Sequence, residues 1–129
     1  LLQPVLRWAT PRSLVRKSLL DVYGNDELVT EALVQRYFDM SLRSGNRQAF
    51  IDRAHVRYQD EVYLLRQITA PTLVMWGAED MWIPLADTTV YLQELPDASV
   101  LVFDGIGHVP MEEAPAKSVQ AAKAFLQAD

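Results

Sequence analysis

A chain of 129 residues, half of them hydrophobic and 22% charged, has the composition of a soluble globular protein. Its formal net charge of −5, with no basic stripe, gives no counterion-release drive toward nucleic acid, and no run of about 18 apolar residues exists to span a membrane, so neither partner is expected. The absence of cysteine excludes a thiol nucleophile, a disulfide framework and a thiolate metal site.

Residues 1–8 form a short apolar lead containing Pro4; no signal peptide is visible, which says nothing about secretion if the natural amino terminus is missing, and a cytoplasmic location is the expectation. Thr10-Pro11 reads as a helix start, with threonine as cap and proline in the first turn. Val15, Leu19 and Val22 follow on one face until Gly24, and Arg12, Arg16 and Lys17 lie on a solvated face. A second helix from about Thr30 carries Leu33, Val34, Tyr37 and Met40 on a wide apolar face. That face suits core packing better than the roof of a pocket. Arg47 to about Tyr58 reads as a third helix, with Phe50, Ile51 and Ala54 inward and His55 in a structural role, and Asp60 to Arg66 leads onward. Asp52, His55 and Asp60 do not make a recognised metal set, and no cofactor is expected.

After Leu65 the pattern changes. Thr72 to Trp76 is a continuous apolar run between Pro71 and Gly77, the signature of a strand buried on both faces of a parallel sheet. Leu85 to Leu95 reads as a helix stopped by Pro96, and Ser99 to Phe103 as a second strand. Strand, helix, strand implies a parallel crossover, which brings both strand ends to one sheet edge. The first strand runs into Gly77-Ala78-Glu79-Asp80, and the second into Asp104-Gly105-Ile106-Gly107-His108, where the glycines are expected to relax the turns. Asp80 and His108 can therefore meet. The last helix is expected to set Val119, Ala122 and Leu126 against the sheet, and Glu112 and Glu113 read as charges at its start.

At these residues the chain resembles the α/β-hydrolase family, in particular members with a helical cap. Residues 71–77 resemble the family's penultimate strand, Gly77 to Asp80 its catalytic-acid loop, and Gly107-His108-Val109-Pro110-Met111-Glu112-Glu113-Ala114-Pro115 its catalytic-histidine loop. The resemblance implies an α/β fold with residues 1–64 as a helical cap segment. Residues 65–129 would then be the carboxy-terminal part of the core, with its last two parallel strands and their helices. It selects Asp80 as the acid over Glu79, Asp87 and Asp104, with Asp104 as a possible supporting group, and His108 as the base. Trp82 and Val109 flank the two loops and could line an apolar substrate pocket, while packing of Trp82 beneath the cap is an equal alternative.

The family's nucleophile sits on a G-x-S-x-G elbow ahead of the cap, and no serine here has that setting. The chain is thus expected to be a carboxy-terminal portion, silent by itself. A missing amino-terminal half or another chain would cover the edge of strand 72–76. The implied activity is hydrolysis of carboxylic esters or related carbonyl substrates by a Ser-His-Asp mechanism on a small molecule. Epoxide or haloalkane hydrolysis by an aspartate nucleophile, or ligand reception without catalysis, are the alternatives.

Overall fold

A computed structural model describes residues 11–57 and 59–128 of the chain. The apolar lead, the Thr10 cap and the far end of the expected third helix at Tyr58 lie outside them. The chain divides into two compact units. One holds the described residues up to Leu20 together with Val29–Gln59, and the other holds Asp21–Leu28 with the residues from Asp60 onward.

In the first unit, the Pro11 carbonyl accepts the N–H groups of Leu14 and Val15 and so opens α1, Arg12–Val22. Helix α2, Glu31–Ser41, is capped by Thr30, whose hydroxyl oxygen accepts the Leu33 N–H at 3.2 Å. Leu19, Val29 and the fully buried Val34 supply the core of this unit. Across its surface, Arg12 and Arg16 both pair with Glu31, whose carboxyl the Arg12 guanidinium holds below its ordinary value. Helix α3, Asn46–His55, follows Gly45, whose φ of 87° reverses the chain.

The expected inward face of α3 is not buried. Phe50 is 67% exposed, Ala54 is exposed and Ile51 is half-buried. The helix meets α2 across a short turn, where the Asn46 side chain donates to the Met40 carbonyl at 2.7 Å. Among the described residues, the helices of this unit do not supply a second layer to its other side.

The second unit is built on two parallel strands, β1, Thr72–Gly77, and β2, Ala98–Phe103, with Thr72 opposite Ala98 and Gly77 opposite Phe103. A short 3-10 turn at Leu85–Asp87 precedes α4, Thr88–Glu94, in place of one continuous helix. Leu95 is buried at its end while Leu92 is exposed. Arg66, in a 3-10 segment at Val62–Gln67, grips Glu94 with two N–H groups. After β2 come α5, Pro110–Glu113, and α6, Pro115–Gln127, each with proline in its first turn.

Two expectations are corrected here. Among the described residues the sheet has two strands and is not covered on both faces, so β1 is half-buried up to Gly77 and Ser99, Leu101 and Val102 of β2 are exposed. The inward face of α6 runs through Ser118, Ala121, Ala122 and Phe125, one step from the face read off its apolar residues; Leu126 is 80% exposed and Val119 is exposed. Ser118 can be buried because its hydroxyl donates to the Pro110 carbonyl at 2.7 Å. Among the described residues, no helix is long and apolar enough to cross a membrane.

Candidate active site

Gly77 ends β1 and touches the histidine loop through bare backbone. A Cβ built on it would lie 1.9 Å from the Gly107 carbonyl oxygen and 2.3 Å from that of Ile106. The adjacent peptides knit the two strand-end loops together, with Ala78 N–H donating to Phe103 O at 3.0 Å and Glu79 N–H to Ile106 O at 2.9 Å. Gly107 is confined in the same way, since its Cβ would meet Val22 O at 2.3 Å and Gly24 N at 2.5 Å. Of the three glycines expected to relax these turns, only Gly105 has the left-handed φ, 70°, that calls for it. The other two are required by close approach.

A Gly77→Ala substitution is therefore expected to destabilise the protein by several kcal/mol, on the order of 3 or more, because the obstructing atoms are backbone and cannot rotate away. Thermal and urea denaturation would measure it. A loss below about 1 kcal/mol would mean that the loops separate easily.

The Asp80 side chain is 4% exposed, and N–H donors surround its carboxylate. Oδ1 accepts from Trp82 and from Ile83, both at 2.9 Å, and Oδ2 accepts from His108 Nδ1–H at 2.8 Å. The Trp76 indole N–H in turn holds Ile83 O at 3.2 Å. Burial works to raise the Asp80 pKa, and the two backbone donors with the His108 bond outweigh it, so the net direction is below its ordinary 3.8.

A carboxyl depressed on folding contributes stability that is complete above its unfolded pKa and is lost as pH falls through the folded value. For Asp80 that loss begins near pH 3.8 and continues below it. Denaturation midpoints measured down the acid range should fall less steeply in Asp80→Asn than in the parent protein. Equal slopes would show that Asp80 does not carry this stability.

His108 is also held by its main chain, its N–H donating to Val22 O at 2.8 Å. The imidazole is 31% exposed, and with Nδ1–H given to Asp80 its basic nitrogen is Nε2. The Trp82 ring lies 5.7 Å from the imidazole, tilted by 38°, and is 56% exposed. Val109 is half-buried next in the chain and starts α5, its carbonyl accepting the N–H groups of Glu112 and Glu113. The structure thus brings Asp80, His108 and Trp82 together, with Val109 adjoining. Glu79, Asp87 and Asp104 are exposed, and the carboxylate bonded to the imidazole is that of Asp80. His55 is exposed and donates to the Ile51 carbonyl of its own helix. Among the described residues, no group of histidine and carboxylate side chains is arranged to hold a metal ion.

Residues 21–28, read from the sequence as part of the helical segment, belong to the unit of the strands because they support this loop. The Tyr23 hydroxyl donates to Glu112 Oε2 at 2.8 Å, and Glu113 receives N–H groups from both Gly24 and Gly107 at 2.8 Å. Glu112 and Glu113 are therefore partners of the histidine loop and of residues 23–24 rather than mere helix-start charges. The sequence offers no signal for this, since the partners in residues 23–24 lie 89 positions from the glutamates.

No protein-family model matches the chain. It is 29% identical over 128 residues to a 2-hydroxy-6-oxononadienedioate/2-hydroxy-6-oxononatrienedioate hydrolase of a Pseudomonas species, covering 98% of this chain and 45% of that protein. It is 33% identical over 67 residues to Lipase 3 of Moraxella sp. (strain TA144), covering 52% of this chain and 21% of the lipase. A meta-cleavage product hydrolase from Pseudomonas fluorescens IP01 superposes with a TM-score of 0.80 at 20% identity, covering 97% of this chain and 48% of the other, a likeness of fold. The chain spans less than half the length of these relatives.

Proposed function

The chain belongs to the α/β-hydrolase family, and from that premise we propose that it supplies the acid and the base of a hydrolase acting on carboxylic esters or related carbonyl compounds. The observation that carries this reading is the bond between the buried Asp80 carboxylate and His108 Nδ1 at 2.8 Å. It leaves Nε2 as the proton acceptor on a partly exposed ring. In this reading Nε2 takes the proton of a serine hydroxyl as the oxygen attacks the carbonyl carbon, Asp80 stabilises the imidazolium, and the proton passes to the leaving group. Water then repeats the sequence on the acyl-enzyme.

The serine and the oxyanion donors are assigned to sequence beyond these 129 residues, which contain no G-x-S-x-G motif. The helical unit is read as the cap segment of such a hydrolase. The edge of β1 that pairs with no other strand among the described residues is read as the docking line for a further strand, supplied by the rest of the full-length protein or by another chain. Trp82 and Val109 are the proposed substrate contacts on an apolar, small-molecule ligand. Hydrolases of oxo-dienedioates and lipases among the relatives support a carbonyl substrate.

The test is hydrolysis of a chromogenic short-chain ester by the full-length protein, together with covalent trapping by an organophosphonate. Turnover, with the phosphonate on a serine, supports the reading. Incorporation of labelled water oxygen into an aspartate instead would assign an epoxide or haloalkane hydrolase. Binding without turnover of any of the three substrate classes would make the protein a receptor.

A further inference from the structure

We propose that Glu113 is a positioning residue for the base, a carboxylate clamp that sets where His108 stands. This rests on the reading of His108 as the proton acceptor. The clamp joins two separate pieces of chain. Glu113 Oε1 accepts the Gly107 N–H and Oε2 the Gly24 N–H, each at 2.8 Å. Between these anchors, His108 N–H donates to Val22 O at 2.8 Å, and on the opposite flank Ile106 O accepts from Glu79 N–H at 2.9 Å. The Ile106–Gly107 and Gly107–His108 peptides are thus both fixed, and of these bonds only that of the Gly107 N–H is made to a side chain. A carboxylate receiving two N–H donors makes stronger, more directional bonds than a neutral acceptor.

Glu113 touches neither the imidazole nor Asp80 and acts through the backbone that carries them. Its loss lets Gly107 withdraw from residues 22–24, which shifts the imidazole relative to Asp80 and to the attacked atom. Displacements of about 1 Å at a reacting group cost on the order of a hundredfold in rate.

The experiment compares Glu113→Gln and Glu113→Ala with Tyr23→Phe in the full-length protein. Tyr23→Phe removes the neighbouring hydroxyl bond to Glu112 and leaves the clamp in place. Glutamine keeps one acceptor oxygen and turns an NH2 group toward the other donor, so it should fall between the parent and alanine. Expected are a loss of kcat of about ten- to a hundredfold at nearly constant KM, a shifted or broadened His108 Nδ1–H proton resonance, and faster exchange of the Gly24 and Gly107 amides. Tyr23→Phe should lower the thermal midpoint and leave kcat unchanged.

Folded Glu113 variants with parental kcat and an unaltered Nδ1–H signal would overturn the proposal. So would a rate loss shared equally by Tyr23→Phe. If the parent protein shows no His108-dependent turnover, the hydrolase reading fails by itself, and the clamp is judged on the Nδ1–H and amide signals alone. If neither Glu113 variant folds, the parent amides decide, since unprotected exchange at Gly24 or Gly107 overturns the clamp.

Discussion

Replacing His108 by alanine in the full-length protein is expected to lower kcat for ester hydrolysis by about a millionfold, the scale that follows removal of the base from a Ser-His-Asp constellation. Among the described residues, no other group is bonded to Asp80 in a position to take over. Asp80 is the adjacent carboxylate, but its two oxygens already accept three N–H groups, and its side chain is 4% exposed. With the ring gone, Oδ2 loses its donor. KM should change little, because the ring's contribution is made as the proton moves. Steady-state kinetics on an active-site-titrated sample provide the measurement. A loss smaller than about tenfold would remove His108 from the role of general base.

Asp80→Asn is expected to cost about 10,000-fold in kcat while the protein stays folded. The geometry gives the reason. Two backbone N–H groups, from Trp82 and Ile83, face Oδ1, so the asparagine oxygen belongs there. The amide NH2 then faces the imidazole in place of Oδ2 and requires Nδ1 to be an acceptor. The neutral ring answers by carrying its proton on Nε2, the nitrogen that must be free to take one. Nitrogen shifts of the His108 ring should therefore report the opposite tautomer in the variant, alongside the kinetic loss. Glu79→Gln, at the exposed neighbouring carboxylate, should leave both unchanged. Persistence of Nδ1–H in Asp80→Asn would break the argument whatever the rate.

Much of this arrangement can be read from the residues themselves. Thr72 to Trp76 and Ser99 to Phe103 are apolar runs bounded by turn residues, and both are strands. Two parallel strands end at one edge, so Asp80 and His108 can meet, and the family resemblance is what selects Asp80 over Glu79, Asp87 and Asp104. Other features follow from contacts that leave no pattern. The inward face of α6 is displaced because a serine with a local carbonyl partner is as buriable as a valine. The apolar face of α3 predicted a burial that the described residues of its unit do not provide. Glu113 looked like a first-turn charge because a carboxylate that accepts backbone N–H groups makes no demand on the identity of the residues that donate them. Gly77 and Gly107 read as turn glycines for a related reason. A glycine needed for clearance and one needed for a positive φ are the same letter.

That clearance bears on how evolution or an engineer could vary the protein. Between the end of β1 and the histidine loop there is only peptide against peptide. Side chains adapt to a new neighbour by changing rotamer or by swapping volume with one another; a peptide plane has neither option. The spacing between the end of β1 and the histidine loop is consequently a dimension set by covalent geometry, as in a machined joint with no gasket. Helices α4 and α6 can be repacked and the loop at Met81 to Ile83 resurfaced to suit a different ligand without moving that reference plane.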